Sequence, residues 1–186
     1  MLRKAVGGMV VTMVVGSVVG TGSVEAQAPT WQDVQVSDIE GMHEKFKALA
    51  GAFDESQYDW RPMEGVRSVL DVLGLAVAEA HLFPTGWGYD APPTSEPGFY
   101  EELERAAALS KADMLRELDV SFDFLIEVVA GMSESERMAA GEYFGQPMPV
   151  HASVAVAMND MHEHLGQLIA YARTNRVVPP WSRGND

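Results

Sequence analysis

Apolar residues return at intervals of three and four through four long segments of this chain. Nowhere do they alternate with polar residues at a sustained period of two. That periodicity restricts the fold to packed helices, because a helix brings i, i+3 and i+4 to one face while a strand needs i and i+2. The first segment, about 37–53, puts Ile39, Met42, Phe46, Leu49 and Phe53 on one stripe, and Ser37 with Glu40 reads as its capping box. The second, about 68–83, opens on Ser68 with Asp71 three residues on and carries Leu75, Ala78, Glu79 and Leu82 along one face. The third, about 110–130, aligns Leu115, Leu118, Phe122, Leu125 and Val129, and Gly131 suits the left-handed position that ends a helix. The fourth runs about 150–175, and Pro179-Pro180 bar its continuation.

The connections set the order of packing. Pro62 lacks an N–H and breaks the chain between the first two helices. The proline-rich stretch "PTGWGYDAPPTSEPG" is long against the two to eight residues or so usual between bundle helices. It is long enough to cross the end of a bundle or to cover a pocket, so the helices it joins need not be antiparallel neighbours. A short helix around 100–109 leads into the third helix, and "SESERMAAGEYFGQPMP" reads as a loop with at most one helical turn. The expected architecture is all-α: a four-helix bundle with a long crossover loop between helices 2 and 3.

The first residues carry an address. Arg3 and Lys4 precede an apolar, glycine-punctuated run from Ala5 to Val19, and small residues follow at Val24-Glu25-Ala26 and Ala26-Gln27-Ala28. That is the layout of a secretory signal peptide spanning 1–26, cut after Ala26 or after Ala28, with Pro29 disfavouring the second site. The run is shorter than the ~20 residues of a membrane span, so the domain at 27–186 is expected in the periplasm or outside the cell, with no stable span after cleavage. The chain has no cysteine, which excludes disulfides, lipid attachment through a thiol, thiolate nucleophiles and Cys-ligated metal. Its formal charge is −14, and loss of Arg3, Lys4 and Glu25 deepens that by one. Such a surface repels phosphate backbones and anionic lipids, so nucleic acid is excluded as a partner. A small molecule and a second copy of the chain are the partners left open. No G-x-S-x-G, phosphate loop or haem-attachment motif occurs.

Three phrases, in order, carry a resemblance: "YDWRPMEGVRS" (58–68), "SKADMLRELDVSFDF" (110–124) and "HLGQLIAYARTNRVVPP" (164–180). They resemble the DinB-like family of bacterial four-helix bundles over about the whole of 27–186. The resemblance implies a divalent-metal site, with relatives acting in thiol transfer, isomerisation or hydrolase-like roles and many without an assigned activity. It also implies three histidine ligands, one from the second helix and an H-x3-H pair from the fourth, just before Gly-Gln. Positions i and i+4 share a helical face, so two such side chains can converge on one ion.

Here His164 stands in the second position of the pair and Asp160 in the first, and carboxylate remains a legitimate ligand. The ligand position of the second helix falls on Leu75, which has no donor atom. Glu79, one turn along the same face, is the available substitute, giving a Glu79–Asp160–His164 site for Zn, Ni or Mn. The competing expectation for Glu79, and the preferred one, is an arginine partner such as Arg173, or exposure to solvent, since a buried carboxylate needs only some partner.

Asp160 is expected to orient the imidazole of His164, whose neighbours Met161 and Leu168 turn it toward the core. Tyr171 shares its face as a packing residue or a phenol donor to a ligand. His81 is rotated away from Leu75 and close to a helix end, where it is expected to cap carbonyls; His162, His43 and His151 are expected on the surface or satisfied in the core. Two functional classes follow: an exported metal-dependent enzyme of unassigned reaction, and a binding or structural bundle that has lost its ion. Thiol transfer fits an exported protein poorly, because the low-molecular-weight thiols of some relatives are cytoplasmic.

Overall fold

The computed structural model describes residues 28–184; the expected signal peptide lies outside the described residues. Six helices and one small hairpin follow in order: α1 (Trp31–Ala52), α2 (Val69–Leu82), α3 (Phe99–Ala107), α4 (Lys111–Gly131), α5 (Glu134–Met138), β1 (Ala140–Tyr143), β2 (Gln146–Pro149) and α6 (Val150–Thr174). Capping sets most of the starts. Ser68 accepts from the N–H of Asp71, whose carboxylate accepts from the N–H of Ser68, as the sequence leads one to expect. The first helix begins earlier than expected. Thr30 and Asp33 form its reciprocal cap, and Ser37 lies inside the helix. Gly131 is also within α4 instead of beyond it, and the chain leaves through Met132 at φ −59° and ψ 122°.

The four long helices form a ring of neighbours, α1–α4–α2–α6–α1. Lys111 at the start of α4 donates to the carbonyls of Gly51 and Phe53 at the end of α1, while Gln32 at the start of α1 donates to Met132 O, so this pair is antiparallel. Tyr171 late in α6 donates to Arg67 O just before α2, so that pair is antiparallel too. The start of α6 lies by the start of α1: His151 Nδ1 is 3.2 Å from the carbonyl O of Arg137, whose guanidinium sits over Trp31. Helices α1 and α6 are therefore parallel, and so are α2 and α4, which the long crossover between them permits.

Helix α2 is buried on every side, from Val72 through His81. Val69–Trp87 is long and apolar enough by composition to pass for a membrane span, but here it is the central element of the bundle. Its fourth face is covered by α3. A Cβ on Gly74 would sit 3.2 Å from Ala106 Cβ, which shows how closely the two backbones approach.

The segment expected as a loop with one helical turn holds that turn as α5 and, beyond the expectation, also a hairpin, with Tyr143 opposite Gln146 and a turn at Phe144-Gly145 where both φ angles are positive, 45° and 75°. The hairpin docks on the turn at Phe83–Trp87 that follows α2. Trp87 Nε1 donates to Ser153 Oγ (2.8 Å), which donates to Glu142 O (2.6 Å). A Cβ on Gly86 would meet Glu142 O at 2.8 Å, backbone against backbone. Gly86→Ala is expected to destabilise the protein by about 1–3 kcal/mol, as overpacking does. A urea titration checks this, and an unchanged midpoint would contradict the close contact.

Candidate metal centre

Helix α2 supplies Glu79; α6 supplies Asp160 and His164 at i and i+4, on one face. The antiparallel crossing of the two helices brings the three together. His164 Nε2 lies 3.1 Å from Glu79 Oε1 and 3.6 Å from Asp160 Oδ1. One donor atom from each residue lies within 4.8 Å of those of the others. Four-coordinate ions with ligand bonds of about 2.1 Å hold neighbouring donors about 3.4 Å apart, so the two closest separations fit a shared cation.

Burial grades across the cluster. The side chain of Glu79 is 2% exposed, that of His164 14% and that of Asp160 27%. The site is thus closed at α2 and open beside Asp160. Glu79 Oε2 is buried without a hydrogen-bond partner among the described residues, an arrangement costly for a carboxylate unless a cation completes it.

The electrostatics point the same way. Burial pushes the Glu79 carboxyl up; His164 opposes that without overcoming it, and Asp160 adds to it. For His164, burial favours the neutral ring, but Glu79 and Asp160 outweigh it and raise the imidazole above its ordinary value. Two carboxylates and one imidazole share too little positive charge, which is a donor set suited to a divalent ion. Three candidate ligands with an open side match the donor count of a catalytic zinc site more than that of a closed structural one.

A fourth residue, which the sequence reading did not single out, completes the arrangement. Tyr143 of β1 donates its hydroxyl to Asp160 Oδ2 at 2.6 Å. Burial and then the Asp160 carboxylate hold this phenol well above its usual range, so it remains a donor. Its bond fixes Asp160 with Oδ1 toward His164, the kind of outer contact that orients a ligand.

The span 38–168, which contains Glu79, Asp160 and His164, matches the model of the DinB superfamily. The chain belongs to the DinB superfamily. Among solved structures, a DinB-like protein from Bacillus subtilis (YjoA) superposes with a TM-score of 0.61 at 16% identity, covering 78% of this chain and 93% of that one. YfiT from Bacillus subtilis, described as a probable metal-dependent hydrolase with an unusual four-helix bundle topology, gives 0.61 at 14% identity over 83% of this chain and 93% of its own. The mycothiol-dependent maleylpyruvate isomerase gives 0.56 at 14% identity, over 76% of this chain and 63% of that one. At such identities the likeness is one of fold. No curated protein matches the chain.

Several expectations are corrected within this DinB-type bundle. Glu79 faces neither Arg173 nor solvent but His164. Arg173 lies at the far end of α6, in a surface cleft with Arg176 and Ser182. Tyr171 brings no donor to the centre, because its hydroxyl donates to Arg67 O (3.0 Å), accepts from Gln167 (2.8 Å), and its ring meets Trp60 edge-on.

Nor does His81 cap a helix end. It is buried, with Nδ1 2.8 Å from Glu102 Oε1. Leu75 is buried one turn before Glu79 and offers no donor. His43 reaches Asp119 and stacks on Phe122, and His162 reaches Asp38.

Proposed function

We propose that this DinB-type bundle is a divalent-metal-dependent enzyme, exported from the cytoplasm, in which Glu79, Asp160 and His164 hold the ion. The observation that carries the reading is the pairing of Glu79 with His164 across α2 and α6, with Glu79 Oε2 buried and unpartnered. When bound, a divalent ion at this place supplies Lewis-acid polarisation of a substrate oxygen. The chain does the rest. Glu79 and the α2 wall exclude water from the inner side. The Tyr143 hydroxyl holds Asp160 in one orientation. The exposed edge beside Asp160 is where a small molecule enters.

Hydrolysis is the reaction type this supports best, in keeping with the description of YfiT, and thiol transfer fits less well with export. Export itself rests on Arg3-Lys4, the apolar run to Val19 and the small residues up to Ala28.

Leu75 supports a second reading, a bundle that has lost its ion, because the residue one turn from Glu79 has no ligand atom. Metal analysis separates the two. Protein purified from its own compartment is expected to carry about one zinc, nickel or manganese per chain, and His164→Ala to lose it while remaining folded. Metal-free native protein, with His164→Ala changing only stability, would establish the second reading instead.

A further inference from the structure

The Tyr143 side chain has two sides of interest. Its hydroxyl bonds to Asp160 of the candidate centre. Its ring walls a cavity of about 160 Å³ formed where the hairpin docks on the turn after α2. The other main walls are Phe83, Trp87, Phe99 and Phe144.

Their rings pack edge-on or tilted. Phe83 lies 5.6 Å from Tyr143 and 5.8 Å from Phe144, Phe99 lies 5.4 Å from Phe144, and Tyr143 lies 4.8 Å from Phe144, centroid to centroid. The polar atoms around the space are mostly engaged elsewhere: Trp87 Nε1 with Ser153, Thr85 Oγ1 with Leu82 O, Glu142 O with Ser153. The space therefore offers a guest aromatic faces and edges on one side, from Phe83, Trp87, Phe99, Tyr143 and Phe144, and polar edge groups at Thr85 and Glu142 on the other.

Phe144 makes the outer wall at a conformational cost. It occupies the first central position of a two-residue hairpin turn with φ 45°, a place that favours Asn, Asp or Gly, and the residue is 58% exposed. The strained residue is one of those lining the cavity, and such strain gathers where a site needs a side chain at one place.

We infer that this cavity is a substrate subsite for a single six-membered ring, whose attached polar group then reaches the Glu79–Asp160–His164 centre past Tyr143. A closed apolar cavity of about 150 Å³ takes benzene; the space here is of similar volume, about 160 Å³, but open on one side to solvent, which leaves room for a ring with a polar group attached. The inference rests on the proposed metal centre for its reacting end, but not for the ring-binding end. The substrate class is a small aryl or cyclohexyl compound with one oxygen-bearing group. Glu142, whose side chain lies at the wall, disfavours a negatively charged ring substituent.

Two measurements test it. In metal-free protein, benzyl alcohol is expected to shift the aromatic NMR signals of Phe83, Phe99, Tyr143 and Phe144 saturably. Phe144→Ala, a change at an exposed turn, should weaken that binding about tenfold, and Phe144→Tyr should retain it. In zinc-loaded protein, benzohydroxamate is expected to bind about tenfold or more tightly than acetohydroxamate, an advantage lost in Phe144→Ala.

Benzyl alcohol shifting signals outside these rings, or not at all, overturns the subsite. So does a benzohydroxamate no tighter than acetohydroxamate in protein that has taken up zinc. If no zinc is taken up, it is the metal centre that fails, and the benzyl alcohol result alone decides the cavity.

Discussion

Glu79→Gln is expected to lower divalent-metal affinity by about 100-fold or more while leaving the metal-free protein as stable as the parent, or slightly more so. The two halves of this result have one cause. Among the described residues Glu79 is the one member of the candidate cluster that α2 contributes, so an ion held there would be clamped between helices through it. The same carboxylate is buried, has its titration pushed up by that burial, and keeps one oxygen without a partner.

Glutamine keeps the shape and can still bond to His164, but it carries no charge to desolvate. A carboxylate retained for packing alone would show the opposite pattern, a loss of stability on substitution with metal affinity unaffected. The readout is a pair of thermal melts with chelator and with zinc. At a zinc concentration about 100 times the dissociation constant the parent gains about 2.7 kcal/mol, a rise of roughly 5–10 °C for a domain of this size. Glu79→Gln should show no such rise. An equal rise in parent and variant would mean that zinc binds somewhere other than this centre.

The bundle is legible in the sequence because its signals are local. Ser68 with Asp71 and Ser110 ahead of its helix act within four residues, and the apolar stripes need only the helical period. The start of α1 is harder, because Thr30-x-x-Asp33 and Ser37-x-x-Glu40 are equally good boxes on paper. A tertiary contact, Arg137 over Trp31, accompanies the earlier start. The hairpin is nearly invisible. Its strands have four residues each, too short for a period of two to stand out, and its turn carries Phe144-Gly145 instead of Asn-Gly. Tyr143 was hidden with it.

At the centre, Asp160 and His164 are visible as an i, i+4 pair next to the Gly-Gln of the fourth helix. The partner of Glu79 is only half visible: the sequence offers His164 and an arginine as alternatives, and the choice depends on the rotation of one helix against another, which burial arguments alone leave free. That is why an arginine was the natural expectation and an imidazole the outcome. His81 shows the same limit from the other side: nothing near it in sequence announces Glu102, 21 residues on, as the partner of its Nδ1.

That second buried pair carries the other large expected effect. Glu102 is fully buried on α3 and accepts from His81 Nδ1–H (2.8 Å), from Arg105 Nε (2.8 Å) and its terminal nitrogen (2.7 Å), and from the N–H of Glu96 (2.9 Å). Burial alone would raise this carboxyl. The hydrogen bonds from Arg105, His81 and Glu96 overturn that and bring it down to about 2.

Glu102→Ala strands the buried His81 N–H and half of the Arg105 partners, so a loss of about 3–5 kcal/mol is expected at pH 7. The pH dependence has a definite sign. A carboxylate depressed below its unfolded value of 4.5 contributes stability above that value. The contribution is lost as pH falls through the window from about 4.5 to about 2, and it amounts to something on the order of 3 kcal/mol.

Urea titrations of parent and Glu102→Gln at pH 7, 4.5 and 3 are expected to converge as the pH falls. Parallel curves would show that the pair carries no linked proton. Metal affinity provides the second axis. His81 is two residues from Glu79 and so points away from the centre, toward α3. Glu102→Gln should therefore weaken the fold and leave zinc affinity unchanged, the reverse of Glu79→Gln. Together the two substitutions assign one face of α2 to holding the bundle together and the other to holding an ion.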